Sequence, residues 1–153
     1  MTKLSYRVAT KQDIPFISQT YQENIESLHG VPRDHALWEE LLAAKDSVYY
    51  VVHGEAPVAW FRLDAEDGAL WIGMLQVKPQ YHRQGIGRYI VSTAEKIAKE
   101  QGFSKLGIHT TEDNAPARAL YRSAGYAVTE VGPCTTADGA ERVGYTFEKQ
   151  LET

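Results

Sequence analysis

Apolar positions along this chain recur at two spacings, every second residue and every third or fourth, and the switches between them outline the elements. Leu4, Tyr6 and Val8 alternate with polar residues as a half-buried strand does. Thr10-Lys11-Gln12-Asp13 then reads as a helix start, with an acid three residues after the Thr cap. Ile14, Ile17, Tyr21, Ile25 and Leu28 follow at helical spacing, and His29-Gly30-Val31-Pro32 supplies the stop. A shorter helix from about Asp34 to Ala44 carries Leu37, Trp38, Leu41 and Leu42 on one side. Ser47 to His53 and Ala56 to Leu63 are rich in Val, Tyr and Trp and flank Gly54-Glu55, the pattern of a hairpin. Glu66-Asp67-Gly68 turns the chain into a third run, Ala69 to Val77, that stops at Lys78-Pro79.

From Gly85 to Gln101 the apolar residues Ile86, Ile90, Ala94 and Ile97 share a helical face, and Gly102 closes the segment. A strand Lys105 to Thr110, a helix from about Asn114 to Ala124, and strands Tyr126 to Cys134 and Arg142 to Leu151 around Asp138-Gly139 complete the pattern. The predicted order is β-α-α-β-β-β-α-β-α-β-β, with no internal repeat or low-complexity linker.

At 153 residues the chain suits a single domain, 1–153, with a full core. Its 43% hydrophobic and 24% charged residues are those of a globular protein and exclude a disordered tail. The longest apolar runs, Val48 to Val52 and Ala56 to Phe61, fall far short of the roughly 20 residues of a membrane span. Met1 to Arg7 lacks the apolar core of a signal peptide, so a cytoplasmic location is expected, without membrane contact. Cys134 has no partner for an internal disulfide and no sequence-adjacent histidine to activate it, and reads as structural. A net charge of -4 argues against a nucleic-acid partner, because phosphate neutralisation needs a basic face. A small or basic partner is easier to accommodate.

The chemistry concentrates at His82-Arg83-Gln84-Gly85-Ile86-Gly87-Arg88, between a strand and a helix. Two glycines there free the backbone to turn tightly, and the helix they open offers unpaired N–H groups to an anion. A Walker loop would need Lys and Ser or Thr after the glycine; a dinucleotide fingerprint starting at Gly85 would need Gly at Ile90. What remains, x-Arg-x-Gly-x-Gly after a strand, resembles the pyrophosphate loop of the GNAT superfamily of acyl-CoA-dependent N-acetyltransferases. A second stretch, Asn114-Ala115-Pro116-Ala117-Arg118-Ala119-Leu120-Tyr121-Arg122-Ser123-Ala124-Gly125-Tyr126, is similar to the same family's Asn-x-x-Ala-x-x-Leu-Tyr-x-x-x-Gly-Phe/Tyr segment. The resemblance covers Leu4 to about Leu151 and is specific from Leu75 to Tyr126. It implies a mixed α/β fold with a mostly antiparallel seven-stranded sheet flanked by four helices.

The resemblance also implies roles. Backbone at Leu75, Gln76 and Val77 would pair with the pantetheine arm of acetyl-CoA, and the N–H groups of Arg83, Gln84, Gly85, Ile86, Gly87 and Arg88 would hold its pyrophosphate, with the Arg83 and Arg88 side chains close enough to neutralise charge. His82 departs from the family's Gln or Arg and reads as solvent-exposed. Asn114 would meet the pantetheine arm, although helix capping explains it equally well. Tyr121 would be the acid beside the departing thiolate, and a core aromatic is its plainer reading. The N–H of Val77 would face the tetrahedral oxyanion. Glu23, Glu26, His109 and Glu112 are candidates for the base; His109, isolated on a strand, reads as packed rather than catalytic. No histidine spacing supports a metal site. Two functions fit the resemblance: acetyl transfer from acetyl-CoA to a primary amine of a small molecule, peptide or protein, or a non-catalytic acyl-CoA-binding regulatory module; a third reading, an α/β interaction domain with no cofactor, needs both motifs to be coincidence. The acceptor would be shaped by the helices from Ile14 to Ala44 and the loops near Cys134. An open carboxy-terminal strand edge leaves room for a homodimer.

Overall fold

A computed structural model describes residues 3–152; Met1, Thr2 and Thr153, part of the domain expected over 1–153, lie outside the described residues. Seven strands form one sheet in the order β1-β2-β3-β4-β5-β7-β6. They are β1 (Ser5–Val8), β2 (Ser47–His53), β3 (Pro57–Glu66), β4 (Ala69–Val77), β5 (Lys105–Thr111), β6 (Ala127–Thr135) and β7 (Glu141–Gln150). Neighbours run antiparallel except β4 and β5, which are parallel. A parallel pair needs a crossover, and α4 (Ile86–Glu100) supplies it. Helices α1 (Ile14–Glu23), α2 (Ile25–Leu28) and α3 (His35–Ala43) precede β2, and α5 (Ala115–Ser123) joins β5 to β6. No helix among the described residues is long and apolar enough to cross a membrane.

Because successive strand residues point to opposite faces, the sheet divides two cores. Tyr50, Phe61, Ile72, Ile108 and Phe147 face α4 and α5, where Ile86, Ile90, Ala94 and Ile97 are all buried as their spacing requires. Tyr49 and Trp60 face the other way, against Ile14, Ile17 and Tyr21 of α1 and Trp38 of α3. Trp38 meets Tyr21 and Trp60 edge-on, at ring-centroid distances of 5.3 and 5.8 Å. Leu37, predicted on the buried side of α3, is instead 37% exposed, since Trp38 fills that layer.

The helix predicted without interruption from Ile14 to Leu28 breaks at Asn24, with φ -104° and ψ 7°. The apolar spacing continues across the break, so periodicity does not reveal it. The Asn24 Nδ2 donates to the Val77 carbonyl (2.9 Å) and to Gln76 Oε1 (3.1 Å) on β4. The open sheet edge also differs from expectation. β7 lies between β5 and β6, so the free edge belongs to β6. The burial pattern explains this: Phe147 on β7 is fully buried, whereas most of β6 is exposed on both faces.

The predicted start at Thr10 is present as a capping box, in a 3-10 turn over Lys11–Asp13 that leads into α1. The Asp13 carboxylate accepts from the Thr10 N–H (2.8 Å) and, through both oxygens, from the Arg7 guanidinium (2.7 Å each), tying β1 to α1. The Arg7 hydrogen bonds are the main cause holding the Asp13 carboxyl below its ordinary range. A depressed pKa adds stability above the unfolded value near ~3.9, and this stability is lost as pH falls through the folded value. Asp13→Asn is therefore expected to lose about 1.5–3 kcal/mol at pH 7. Urea unfolding from pH 7 to 3 should show the mutant deficit shrinking as pH falls; a deficit independent of pH would contradict the ion pair's role.

Candidate active site

β4 and β5 pair at only three positions, Leu70 with Leu106, Trp71 with Gly107 and Ile72 with Ile108. Beyond Ile72 the strands diverge. The β3–β4 register shifts at the same place: Leu63 lies opposite Ile72 and Arg62 opposite Met74, leaving Gly73 as the bulged residue. A bulge bends its strand, and here it carries the end of β4 away from β5. The Lys78 N–H donates to Val58 O at 3.0 Å, which sets the phase of the β3–β4 ladder. Gln76 and Met74 therefore direct their peptide groups to β3, and Val77 and Leu75 direct theirs into the gap. The Val77 carbonyl already accepts from Asn24 and lies 2.9 Å from His82 Nε2. The Leu75 and Val77 N–H groups and the Leu75 carbonyl face the gap without a strand partner among the described residues. Gln76 does different work: its side chain, 4% exposed, accepts from Asn24 beneath the strand.

The chain after β4 makes a 3-10 turn over Pro79–Tyr81 and then two left-handed residues, Arg83 at φ 64° and Gly85 at φ 82°. Gly85 suits that conformation because it has no Cβ to collide with its own backbone. Gly87 contributes in a different way. A Cβ there would stand 3.0 Å from Leu120 Cδ2 on α5, so the bare backbone lets α4 and α5 approach. The first hydrogen bond of α4 runs from the Tyr89 N–H to the Gly85 carbonyl (3.0 Å), and the N–H groups of residues 83–88 have no protein acceptor among the described residues. Such a row of donors at the start of a 15-residue helix is an anion cradle.

A cleft of about 550 Å³ opens between these parts and α5. Of the residues singled out from the sequence, Leu75, Gln76, Val77, Arg83, Gly87, Asn114 and Tyr121 line it. Gln84, Gly85, Ile86 and Arg88 do not: Gln84 Nε2 points at the Gln80 carbonyl (3.5 Å), Ile86 is 3% exposed in the core, and Arg88 Nη2 donates to Ser123 Oγ (3.0 Å). His82 is exposed as expected, yet engaged with Val77. Asn114 caps α5 by accepting from the Ala117 N–H (3.2 Å), and its Nδ2 is left for the cleft. Tyr121 is buried, edge-on to Phe147 at 5.5 Å, and its hydroxyl makes no hydrogen bond among the described residues. Burial pushes its phenol well above the ordinary tyrosine range, so it stays protonated at neutral pH.

A second chamber of about 470 Å³ adjoins the cleft, walled by Leu28, Glu130, Pro133, Cys134, Tyr145 and Thr146. His109, Thr110 and Asn114 border both spaces. Among the base candidates, Glu23, Glu26 and Glu112 border neither, and His109 borders both. Of the regions expected to shape the acceptor site, Leu28 of α2 and Cys134, which lies on β6, wall this chamber. His29 Nε2 lies 2.7 Å from Asp113 Oδ2, and the Asp138 N–H donates to the His29 carbonyl (3.0 Å). These bonds join α2, the β5–α5 loop and the β6–β7 hairpin. Sequence reasoning missed Asn24 and Thr146; an asparagine inside a helical run is a weak signal for the first, and nothing local marks the second.

An open sheet splayed beside a glycine turn defines a known architecture. The ribosomal-protein-S18-alanine N-acetyltransferase of Escherichia coli superposes with a TM-score of 0.80 at 18% identity, over 99% of this chain and 96% of that one. The PaiA N-acetyltransferase of Thermoplasma acidophilum, solved in complex with coenzyme A, gives 0.76 at 17% identity, over 97% and 99%. The acetyltransferase (GNAT) family model matches residues 14–126, and the chain belongs to that family. A candidate ribosomal protein bS18-alanine N-acetyltransferase of Bacillus subtilis is 30% identical over 94 residues, 53% of this chain and 62% of that protein. Two other curated relatives are matched over only 22% and 23% of their lengths.

Asn24 carries a prediction of its own. Asn24→Ala would leave Gln76 Oε1 buried without a donor and is expected to cost about 1–3 kcal/mol. Asn24→Asp, which turns an oxygen toward two oxygens, should cost at least as much. Chemical denaturation checks both, and wild-type stability in the pair would show that the bend does not depend on this amide.

Proposed function

We propose that the protein is an acetyl-CoA-dependent N-acetyltransferase, passing an acetyl group to a primary amine by direct attack through a tetrahedral intermediate. One observation carries this reading: a single cleft brings together an unpaired strand edge, a helix start with free N–H donors, and a buried phenol. The pantetheine arm of acetyl-CoA carries amides, and it completes the edge of β4 as an added strand would, against Leu75 and Val77. The diphosphate rests on the N–H groups of residues 83–88. Arg83 supplies the cation on the wall; Arg88 contributes main chain, since its side chain is held by Ser123. Asn114 Nδ2 adds a donor to the arm. Coenzyme A in the PaiA neighbour supports the choice of cosubstrate.

The thioester carbonyl then lies against the edge of β4, where the Val77 N–H can hold the oxyanion. Tyr121 stands beside the sulfur. A thiol titrates near ~8.5, far below a buried phenol, so the hydroxyl hydrogen-bonds the departing thiolate rather than ionising. The proton that ends on sulfur comes from the attacking nitrogen. The amine enters through the chamber walled by Leu28, Pro133 and Tyr145, and it belongs to a small molecule, a peptide or a protein. The alanine N-acetyltransferase names among the relatives make a free peptide amino terminus a probe of first choice.

Tyr121→Phe is expected to lower kcat on the order of 100-fold while leaving acetyl-CoA affinity within about twofold, because the hydroxyl matters mainly as the C–S bond breaks. Thiol release gives the first quantity and titration calorimetry the second. Equal losses in both would make Tyr121 a binding or packing residue.

A further inference from the structure

We propose that His109 is the general base of the transfer, with Trp71 and Thr146 as its positioning residues; the assignment rests on the acetyl-transfer reading above. An isolated strand histidine reads as packed, yet this one is exposed, on a part of the sheet that α1 and α3 do not cover. Its ring stacks on the Trp71 indole with centroids 4.7 Å apart and planes 3° from parallel. The indole is itself fixed. It lies over Gly107, where any Cβ would collide with it. Across the β5–β7 ladder His109 pairs with Thr146, and its Nδ1 lies 3.1 Å from Thr146 Oγ1. In the tautomer that donates Nδ1–H to that hydroxyl, the Nε2 lone pair is free. Two contacts therefore fix the ring in plane and in rotation, an arrangement that packing alone does not require of an exposed side chain.

Position adds to orientation. His109 borders both the cleft and the chamber, so an amine moving from one toward the other passes it. The charged groups around the ring are Glu130 on β6, Glu148 on β7, Lys105 on β5, and Glu66 and Asp67 at the β3–β4 turn. Lys105 and Glu148 pair with each other at 2.9 Å, which leaves an acidic excess toward an approaching ammonium. Glu130 also walls the chamber, but no contact like the Trp71 stack and the Thr146 hydroxyl orients its carboxylate among the described residues.

The step balances as follows. The ammonium of the acceptor gives one proton to Nε2 of His109. The freed lone pair attacks the thioester carbonyl carbon, forming the C–N bond and placing the negative charge on oxygen. Collapse breaks the C–S bond, a second nitrogen proton passes to sulfur, the third remains on the amide, and the imidazolium returns its proton to water.

The test measures kcat/KM against pH for three acceptors, n-butylamine, 1,4-diaminobutane and a peptide with a free amino-terminal alanine, on enzyme saturated with acetyl-CoA. Wild type takes the acceptor as its ammonium and needs only the imidazole unprotonated, so the logarithmic slope should approach one where the ring is protonated and level off above that range while the amine is still an ammonium. His109→Gln should show a slope near one throughout, a kcat lower on the order of 100-fold, and unchanged acetyl-CoA affinity by calorimetry. Added imidazole should restore part of the rate of His109→Ala. Thr146→Val, which keeps the size and removes the hydroxyl, should shift the ring's limb of the profile. A His109→Gln enzyme with the wild-type rate and slope would overturn the base while leaving acetyl transfer intact. Acetyl-CoA binding without thiol release from any of the three acceptors would overturn the transfer and the base together.

Discussion

The structure depends on a sheet that comes apart in its middle. β4 and β5 pair for three residues and then part, and this opening is unusual because unpaired backbone groups inside a fold cost free energy unless something meets them. Here the cost is limited. The β3 side of β4 stays paired apart from the bulge at Gly73, the Val77 carbonyl is met by Asn24 and His82, and the groups left over face a cleft instead of packed side chains. A partner with amides is what such an edge lacks.

The opening is held by contacts that come from far along the chain. The bulge at Gly73 bends β4, and the amide of Asn24, at a break between two helices, reaches β4 to fix its end. On the other side the Leu120 side chain of α5 packs against the bare backbone of Gly87 at the start of α4. The Glu95 carboxylate accepts from the Tyr126 hydroxyl (2.9 Å) and pairs with Lys149 (3.3 Å), tying α4 to β7 behind the cleft. The two glycines of the loop thus do separate things, one in backbone conformation and one in packing.

Much of the frame was legible beforehand because it rests on local rules. Periodicity placed all seven strands and the face of α4, and the glycine turn and the Asn114 cap are local geometries that short motifs encode. What stayed hidden is where a side chain's partner is distant in sequence. The Ile86 side chain enters the core as its helical spacing indicates, whereas nothing local shows that Arg88 is drawn to Ser123. The open edge falls on β6 because β7 carries the residues that fill the interior.

The chain's order of residues by itself determined the elements, their succession, the anion-accepting turn and the family these imply, since each depends on neighbours within a few positions. Tertiary structure alone decided where β4 leaves β5, that Asn24 interrupts a helix to brace the gap, and that His109 stands stacked and exposed between two spaces. Those features depend on residues dozens of positions apart, and no local spacing records which distant partner a side chain will meet.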